Sequence, residues 1–251
     1  MIDEKKDILK LDNAFSKIIN SMSIISNEEA KKRDEEIKKY EAENLRKARE
    51  SMYRNCGIAE KFENVELYDL VKSGIAEMRD KDGKLITDIK VFEDFIADIA
   101  KGKPRALLVF GDYGTGKSVF SVGILHELCR KGVSSGYFKA HEVMQRIDDA
   151  KWHCSNESRK GIINEICSPQ FRVIDEIGRY PDSKNEQFVL FDVTNRCYEN
   201  YKSSIYISNL TKKELAEFMG GAVIDRFKGF GMTIEFSGKS FRGTEKELYI
   251  K

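Results

Sequence analysis

The segment GDYGTGKS at residues 111–118 restricts the fold of this 251-residue chain more than any other part of the sequence. It matches the P-loop pattern GxxxxGK[ST], in which glycines let backbone N–H groups close around phosphate oxygens. The apolar run ALLVF precedes it and the helical run VFSVGILHELCR follows, so the loop joins a strand to an anion-attracting helix N-terminus. The residues expected to bind nucleotide are Gly111, Asp112, Tyr113, Gly114, Thr115, Gly116, Lys117, Ser118 and Val119.

Beyond residue 103, short apolar runs alternate with helical stretches, which is typical of a parallel sheet with crossover helices. The pattern predicts an α/β fold with a five-stranded parallel sheet. The predicted strands are 106–110, 135–139, 171–174, 204–208 and 232–236. Capping boxes are predicted at Thr211 with Glu214 and at Ser183 with Glu186, each at the start of a helix.

A second motif, FRVIDE at residues 171–176, is an apolar strand that ends in two acidic residues, as a Walker B motif does. Asp175 is expected to hold Mg²⁺ together with Ser118, and Lys117 is expected to reach the β- and γ-phosphates. Glu176 is expected to polarise the attacking water. The predicted cofactors are ATP and Mg²⁺, and the glutamate favours ATP hydrolysis over phosphoryl transfer to a metabolite.

The strand SIYIS is followed by Asn209. In a parallel sheet the carboxyl ends of the strands lie beside the ligand crevice, so this asparagine is a candidate for orienting the attacking water. The alternative is that Asn209 only supplies turn geometry before the helix that Thr211 caps.

Taken together, these segments resemble the AAA+ ATPases of the DnaC and IstB group, with DnaC-type helicase loaders the closer match. The resemblance covers residues 55–242 and rests on CGIAEKFENVELYDL, FGDYGTGKS, FRVIDEIG, ISNL, VIDRF and SFRG, in that order. It implies that Asn209 is the sensor 1 residue near the γ-phosphate and that Arg242 is the sensor 2 arginine. It also implies that Arg226 is an arginine finger, supplied to the ATP of a neighbouring subunit. Without this resemblance, either arginine would be interpreted as a surface cation.

Two further features bear on the resemblance. The sequence ends nine residues after Arg242, which leaves no room for the C-terminal helical lid of larger AAA+ proteins, and this is similar to the loader and IstB group. Loaders often carry a basic residue four positions before the arginine finger, where this chain has Ala222. The resemblance therefore implies subunit interfaces that lack one auxiliary cation.

The resemblance also implies loops that contact single-stranded DNA in an assembled spiral. Arg179, Tyr180, Ser183 and Lys184 follow the Walker B motif and combine cations with an aromatic ring, which suits phosphate contact and base stacking. Ser183 has an alternative role as a helix cap, and Tyr180 as a packing residue. Trp152, the only tryptophan, is a candidate either for base stacking or for core packing.

Residues 1–54 are predicted to form a helical N-terminal region, and residues 55–251 the AAA+ ATPase domain. Apolar residues recur near helical spacing at Ile8, Leu11, Phe15, Ile18, Ile19 and Met22. A second, strongly charged helix is predicted from Ser26 toward Met52, with pairs such as Glu28 and Lys32 at i,i+4. The apolar face either docks within the chain or binds a partner. The resemblance implies that it docks on the replicative helicase.

Composition argues against several other classes of protein. A formal net charge of +1 argues against a general polycation, so any DNA contact must come from a local patch. Five cysteines without a CxxC pair favour a reduced, cytoplasmic protein over a disulfide framework or a zinc site. No stretch approaches the ~18 consecutive apolar residues of a membrane span, so no membrane partner is expected.

The sequence therefore predicts an ATP-dependent loader that binds the replicative DNA helicase, assists its placement on single-stranded DNA, and self-associates when ATP is bound. Three alternatives remain open. One is an IstB-like ATPase partner of a transposase, which shares the same core. Another is an adaptor or inhibitor of the helicase that binds ATP without hydrolysing it, although Lys117 and Glu176 argue against this. The third, a small-molecule P-loop kinase, would need an arginine-rich lid and gives no reason for Asn209 or Arg226.

Overall fold

The computed structural model describes residues 56–62, 64–72, 77–152 and 156–240. The chain divides into two units, Met1–Glu50 and Ser51–Lys251, and every described residue belongs to the second. The helices in the described ranges are α1 (Leu67–Lys72), α2 (Lys90–Ala100), α3 (Lys117–Arg130), α4 (Ala140–Lys151), α5 (Arg159–Cys167), α6 (Ser183–Glu199), α7 (Lys212–Met219) and α8 (Gly221–Phe227), with a 3-10 turn at Glu60–Phe62. The strands are β1 (Glu77–Arg79), β2 (Ala106–Gly111), β3 (Ser135–Lys139), β4 (Phe171–Ile177), β5 (Ser203–Ser208) and β6 (Gly231–Ser237).

The strands form a single sheet in the order β1-β6-β2-β5-β4-β3. Strand β1 is antiparallel to β6, and the other neighbouring strands are parallel. Strands β2 and β5 are buried along almost their whole length, which explains their continuous apolar runs. Because the carboxyl ends of parallel strands share one edge of the sheet, the segments that follow β2, β4 and β5 meet there.

The two faces of the sheet carry separate hydrophobic layers. On β2, Leu107 and Val109 pack into the layer that contains α1, α2 and α3, whereas Leu108 and Phe110 pack into the layer that contains α4 to α8. This alternation follows from the period of two along a strand. Helix α3, which follows the P-loop, is therefore covered on one side by the sheet and on the other by α1 and α2.

The predicted α/β fold class is confirmed, and all five predicted strands are present. Strand β6 pairs with β2 from Ala106 opposite Gly231 to Gly111 opposite Phe236. The prediction omits the sixth strand, β1, which has only three residues and lies at the edge of the sheet. Three residues are too few to show a period of two in the sequence.

One predicted capping box is confirmed and the other is wrong. At α7, the Thr211 side chain accepts the N–H of Glu214, and the Glu214 side chain accepts the N–H of Thr211. At α6, the N-cap is Asp182, whose side chain accepts the N–H of Asn185, and Ser183 is already helical. An aspartate is an equally good N-cap and lies one residue earlier.

Several predictions fall outside the described residues. These are the two N-terminal helices before residue 55 and the sensor 2 assignment of Arg242. The boundary at residues 54 and 55 stays a prediction. Of the helices in the described ranges, none has the length and apolarity that crossing a bilayer requires.

Candidate functional site

The loop between β2 and α3 is packed tightly against other parts of the chain. Gly111 has a φ of +130°, and a Cβ atom there would lie 2.0 Å from the carbonyl oxygen of Phe236 on β6. Gly114 has a φ of +77°, and a Cβ atom there would lie 2.0 Å from Ser240 Oγ. Both positions require glycine because of backbone conformation and because of space. The segment that precedes Arg242 therefore lies against the P-loop at Ser240.

Lys117 is the first residue of α3, and its side chain is buried against the loop. Its ammonium donates hydrogen bonds to the carbonyl oxygens of Gly111, at 2.8 Å, and Asp112, at 2.6 Å. Thr115 Oγ1 donates to the same Asp112 oxygen at 2.8 Å. These contacts hold the lysine charge within the loop where the phosphates of a nucleotide are expected.

The two predicted Mg²⁺ ligands lie together. Ser118 Oγ donates a hydrogen bond of 2.6 Å to Asp175 Oδ2, although the residues are 57 positions apart in sequence. The Tyr137 hydroxyl on β3 donates to the same oxygen, and the backbone N–H of Glu176 donates to Asp175 Oδ1 at 2.6 Å. A hydroxyl and a carboxylate on adjacent elements are the oxygen ligands that Mg²⁺ prefers, so these residues fit the ion.

Tyr137 is buried beside this carboxylate. Burial, followed by the negative charge of Asp175, raises the pKa of the Tyr137 phenol well above its ordinary value. The phenol therefore remains a neutral hydrogen-bond donor at any physiological pH. It holds the orientation of Asp175 from β3, the strand that flanks β4 on the side away from β5.

Glu176 adopts a backbone conformation that is rare for a residue with a side chain. Its φ is +62°, and the pairing of β4 with β5 is irregular between Ile174 and Ile177. Its Oε2 lies 3.2 Å from Arg179 Nη1 and 2.9 Å from His141 Nδ1 on α4. Non-glycine residues in this region of φ and ψ occur preferentially at functional sites. The conformation turns the glutamate out of the regular strand just where a general base is expected.

Asn209 follows β5, which lies between β2 and β4 in the sheet. It is therefore located between the end of the P-loop strand and the end of the Walker B strand, and its role toward the attacking water stays a prediction. The preceding residue, Ser208, donates its hydroxyl to the carbonyl oxygen of Ile177 at 2.8 Å. This bond ties the end of β5 to the end of β4 beside the asparagine.

The loop after β4 is organised by a buried carboxylate that sequence reasoning assigned to a capping box. Glu186 is 1% exposed and accepts the N–H of Gly178 at 2.9 Å and that of Tyr180 at 3.4 Å. Burial raises the pKa of its carboxyl above the ordinary value, and the two N–H groups oppose this. Glu186 therefore connects α6 to the loop that carries Arg179.

The residues proposed to contact DNA are not in equivalent environments. Lys184 is exposed on the first turn of α6, whereas Arg179 is paired with Glu176. The Tyr180 hydroxyl donates to Asp148 on α4, and its ring packs against the core, which supports its alternative role as a packing residue. Trp152 is 79% exposed at the end of α4, which excludes the alternative of core packing.

Arg226 lies on α8, away from the residues above. Its Nη1 donates to the carbonyl oxygen of Ala222 at 2.7 Å. Its guanidinium lies 5.5 Å from the ring centre of Phe191 and 5.9 Å from that of Tyr198, both on α6. Within the described part of the chain it has no ion pair with a carboxylate. The structure therefore does not bring Arg226 together with the P-loop of the same chain.

Sequence reasoning missed three residues at this site: Tyr137, His141 and Glu186. Each acts across a tertiary contact that short motifs do not encode. The sequence carries no signal for His141 or Glu186, and for Tyr137 the signal appears only in the strand register. In the observed register, Lys139 is opposite Asp175, so Tyr137 is two residues earlier on the same face of β3. Knowing that register would have identified the tyrosine.

Comparison with known proteins gives a consistent result. The chain is 26% identical over 151 residues to the replicative helicase loader DnaC of Escherichia coli strain K12, which covers 60% of this chain and 59% of the loader. The chain thus spans about three-fifths of the length of that curated relative. Solved structures with the same fold include the DnaC helicase loader, with a TM-score of 0.54, 17% identity and coverage of 71% of this chain and all of that one.

A further structure with this fold is that of DnaI, with a TM-score of 0.53, 17% identity and coverage of 73% of this chain and 94% of that one. At these identities the structural likeness establishes the fold alone. The family described as IstB-like ATP binding protein matches residues 36–248, which is most of the chain. The predicted membership of the DnaC and IstB group is confirmed: this chain belongs to the IstB-like ATP-binding family and is similar to the DnaC helicase loader.

Proposed function

We propose that this protein is an ATP-dependent loader that binds the replicative DNA helicase and assists its placement on single-stranded DNA. The observation that carries the proposal is the cluster of Ser118, Asp175 and Glu176 beside the Lys117 loop. This arrangement supplies a phosphate-binding loop, an ion-binding pair and a base in one place. The similarity to DnaC loaders supports the choice of partner.

The proposed reaction is the hydrolysis of ATP to ADP and phosphate. Lys117 binds the β- and γ-phosphates, and Ser118 with Asp175 holds Mg²⁺. The ion, when bound, neutralises charge on the phosphates. Glu176 accepts a hydrogen bond from the attacking water and orients it toward the γ-phosphate, with Asn209 beside the same phosphate.

In this mechanism, the carboxylate of Glu176 is released from its contacts with Arg179 and His141. Both Arg179 and His141 approach its Oε2, at 3.2 Å and 2.9 Å, and therefore compete with the attacking water for this oxygen. A phosphate of single-stranded DNA that binds Arg179 competes directly for that contact. The proposed DNA contacts are therefore expected to increase the availability of the base. Arg226 completes the reaction by stabilising charge at the ATP of a neighbouring copy.

Binding to the helicase is tested by size-exclusion chromatography with light scattering on the full chain mixed with its host's replicative helicase. We expect a complex whose stoichiometry changes when ATP is added. The variant Lys117→Ala should lose the ATP-dependent change. If the wild-type chain does not bind the helicase under either condition, the loader proposal is wrong.

A second candidate function is that of an ATPase partner of a transposase, which is favoured by the family match to IstB-like proteins. The same chromatography with a transposase of the host organism in place of the helicase distinguishes the two. A complex with the transposase and none with the helicase would replace the first proposal by the second. The ATP chemistry proposed for Lys117 and Glu176 is common to both.

A further inference from the structure

Arg172 on β4 is a fully buried cation, with none of its surface exposed. Its guanidinium donates hydrogen bonds to the carbonyl oxygens of Ile166, at 3.0 Å, and Pro169, at the end of α5. Among the described residues, no carboxylate pairs with it. A guanidinium stays protonated in proteins, and a buried charge without a counter-ion is costly. The two carbonyl groups satisfy donors but carry no net charge, so an anion is expected at the remaining nitrogen.

The group at that nitrogen is the sulfur of Cys197 on α6. Arg172 Nη1 lies 2.6 Å from Cys197 Sγ and 3.0 Å from Ser204 Oγ on β5. Cys197 is only 3% exposed, so bulk water does not compete for this contact. A neutral thiol is a weak acceptor, whereas a thiolate both accepts the hydrogen bond and neutralises the cation. The geometry therefore fits an anionic sulfur at Cys197.

A second cysteine lies beside this sulfur. Cys167 is the last residue of α5 and is partly exposed. Its Sγ lies 4.0 Å from the carbonyl oxygen of Val193, one turn before Cys197, and a helical side chain covers the turn that precedes its own Cα. Lys202 connects the two backbones, since its N–H donates to the Cys197 carbonyl at 2.9 Å and its ammonium to the Cys167 carbonyl at 2.7 Å. The two sulfurs are therefore neighbours.

The two thiols differ in acidity. The hydrogen bond from the Cys167 thiol and the positive charge of Arg172 lower the pKa of Cys197 to about 7, although burial opposes them. The same hydrogen bond, followed by burial, raises the pKa of Cys167 well above its ordinary value. The charged and titratable groups that act on the Cys197 sulfur are Cys167 on α5, Arg172 on β4, Lys202 after α6 and Tyr206 on β5. Cys197 is thus the nucleophile of the pair.

We propose that Cys197 and Cys167 form a site of oxidation by hydroperoxides, in which the Cys197 thiolate reacts first and Cys167 closes a disulfide. An S–O bond forms at Cys197 as the peroxide O–O bond breaks, which leaves a sulfenic acid and hydroxide. The Cys167 sulfur then attacks Cys197: the S–S bond forms, the S–O bond breaks, and the Cys167 proton leaves with the hydroxyl as water. Two electrons pass from the sulfurs to the peroxide. None of these residues is among those proposed to bind ATP, so the inference goes beyond the proposed function and does not depend on it.

A second buried cysteine pair lacks the cation and provides an internal comparison. Cys56 Sγ and Cys129 Sγ are 4.0 Å apart, and Cys56 Sγ donates to the carbonyl oxygen of Ser135 at 3.0 Å. Within the described ranges, no arginine or lysine donates to either sulfur. The two pairs are both buried and close together, so the guanidinium is the feature that distinguishes them. We therefore expect the pair of Cys197 to be oxidised first.

The test treats the reduced full chain with hydrogen peroxide and measures the oxidation of each cysteine separately. The remaining thiols are blocked with N-ethylmaleimide in urea, and trypsin then leaves each of the five cysteines in a peptide of its own. We expect a disulfide between the peptides of Cys167 and Cys197, formed about tenfold faster or more than oxidation products of Cys56 or Cys129. In Cys167→Ser the disulfide cannot form, and dimedone should label Cys197 as its sulfenic acid.

The matched control is Cys129→Ser, the same substitution in the other buried pair, which should leave the disulfide at its wild-type rate. Arg172→Gln keeps a hydrogen-bond donor beside Cys197 but removes the charge, and should slow oxidation of Cys197 about tenfold or more. In urea the wild-type chain loses the guanidinium contact, so its cysteines should react at similar rates; this measurement decides the question even if Arg172→Gln does not fold. Equal rates in the folded wild type, or a faster Cys197 that persists in urea, would overturn the inference and leave the proposed function intact.

Discussion

Removing the Tyr137 hydroxyl tests whether the Walker B carboxylate is held as the structure indicates. In Tyr137→Phe the ring keeps its packing, and Asp175 loses one of three donors while it retains those from Ser118 and Glu176. A hydrogen bond to a charged group contributes about 1.5–3 kcal/mol. With two donors remaining, we expect the free energy of unfolding to fall by about 2 kcal/mol, toward the lower half of that range.

The chain offers a matched control in Tyr206. This tyrosine is also buried, but its hydroxyl is paired at 2.9 Å with the neutral Thr194. Tyr206→Phe should therefore cost only about 1 kcal/mol. Urea unfolding followed by circular dichroism measures both variants, and at about 2 kcal/mol per molar the expected midpoint shifts are about 1 M and 0.5 M. A loss in Tyr137→Phe no larger than that in Tyr206→Phe would refute the charged bond to Asp175.

Three other substitutions test separate parts of the account. Gly111→Ala places a Cβ 2.0 Å from the carbonyl oxygen of Phe236, so we expect a lower melting temperature and no ATP-induced thermal shift; an unchanged shift would contradict the tight loop. Thr211→Ala removes the capping box and should lower the free energy of unfolding by about 1 kcal/mol in urea titration, with ATP affinity unaffected. Glu186→Gln replaces one carboxylate oxygen by an NH2 group, which cannot accept the N–H of Gly178 or of Tyr180, and should lower kcat for ATP hydrolysis while the Kd for ATP stays constant; a parallel loss of affinity would argue against a role confined to the loop.

The sequence identified the parts of the site that short patterns encode. The P-loop and the Walker B strand were predicted with their roles because the required residues are contiguous and flanked by apolar runs. Asn209 was selected because the carboxyl ends of parallel strands share one edge of a sheet, and only the structure shows that its strand lies between β2 and β4. These predictions depend on local spacing and on the geometry of parallel sheets, which holds for any α/β fold.

The remaining parts depend on tertiary contacts. His141 approaches Glu176 from α4, 35 positions earlier, and no motif links the two. Ser183 was predicted as a cap because it satisfies the spacing to Glu186, but Asp182 competes for the same role and Glu186 is drawn into the core by two N–H groups. Local propensity cannot decide between two adequate caps when burial of a third residue determines the outcome.

The most direct test of the account mixes two inactive variants and measures steady-state ATP hydrolysis. Lys117→Ala cannot bind ATP but keeps Arg226, and Arg226→Ala binds ATP but cannot supply the arginine, so each alone should be slower than wild type by about 10³-fold or more. In an equimolar mixture, the intact P-loop of one variant meets the intact arginine of a neighbouring copy of the other, and we expect recovery to about a quarter of the wild-type rate, by random pairing of equal numbers. A mixture as inactive as its components, or an Arg226→Ala variant as fast as wild type, would contradict the claim that ATP is hydrolysed between two copies of this chain.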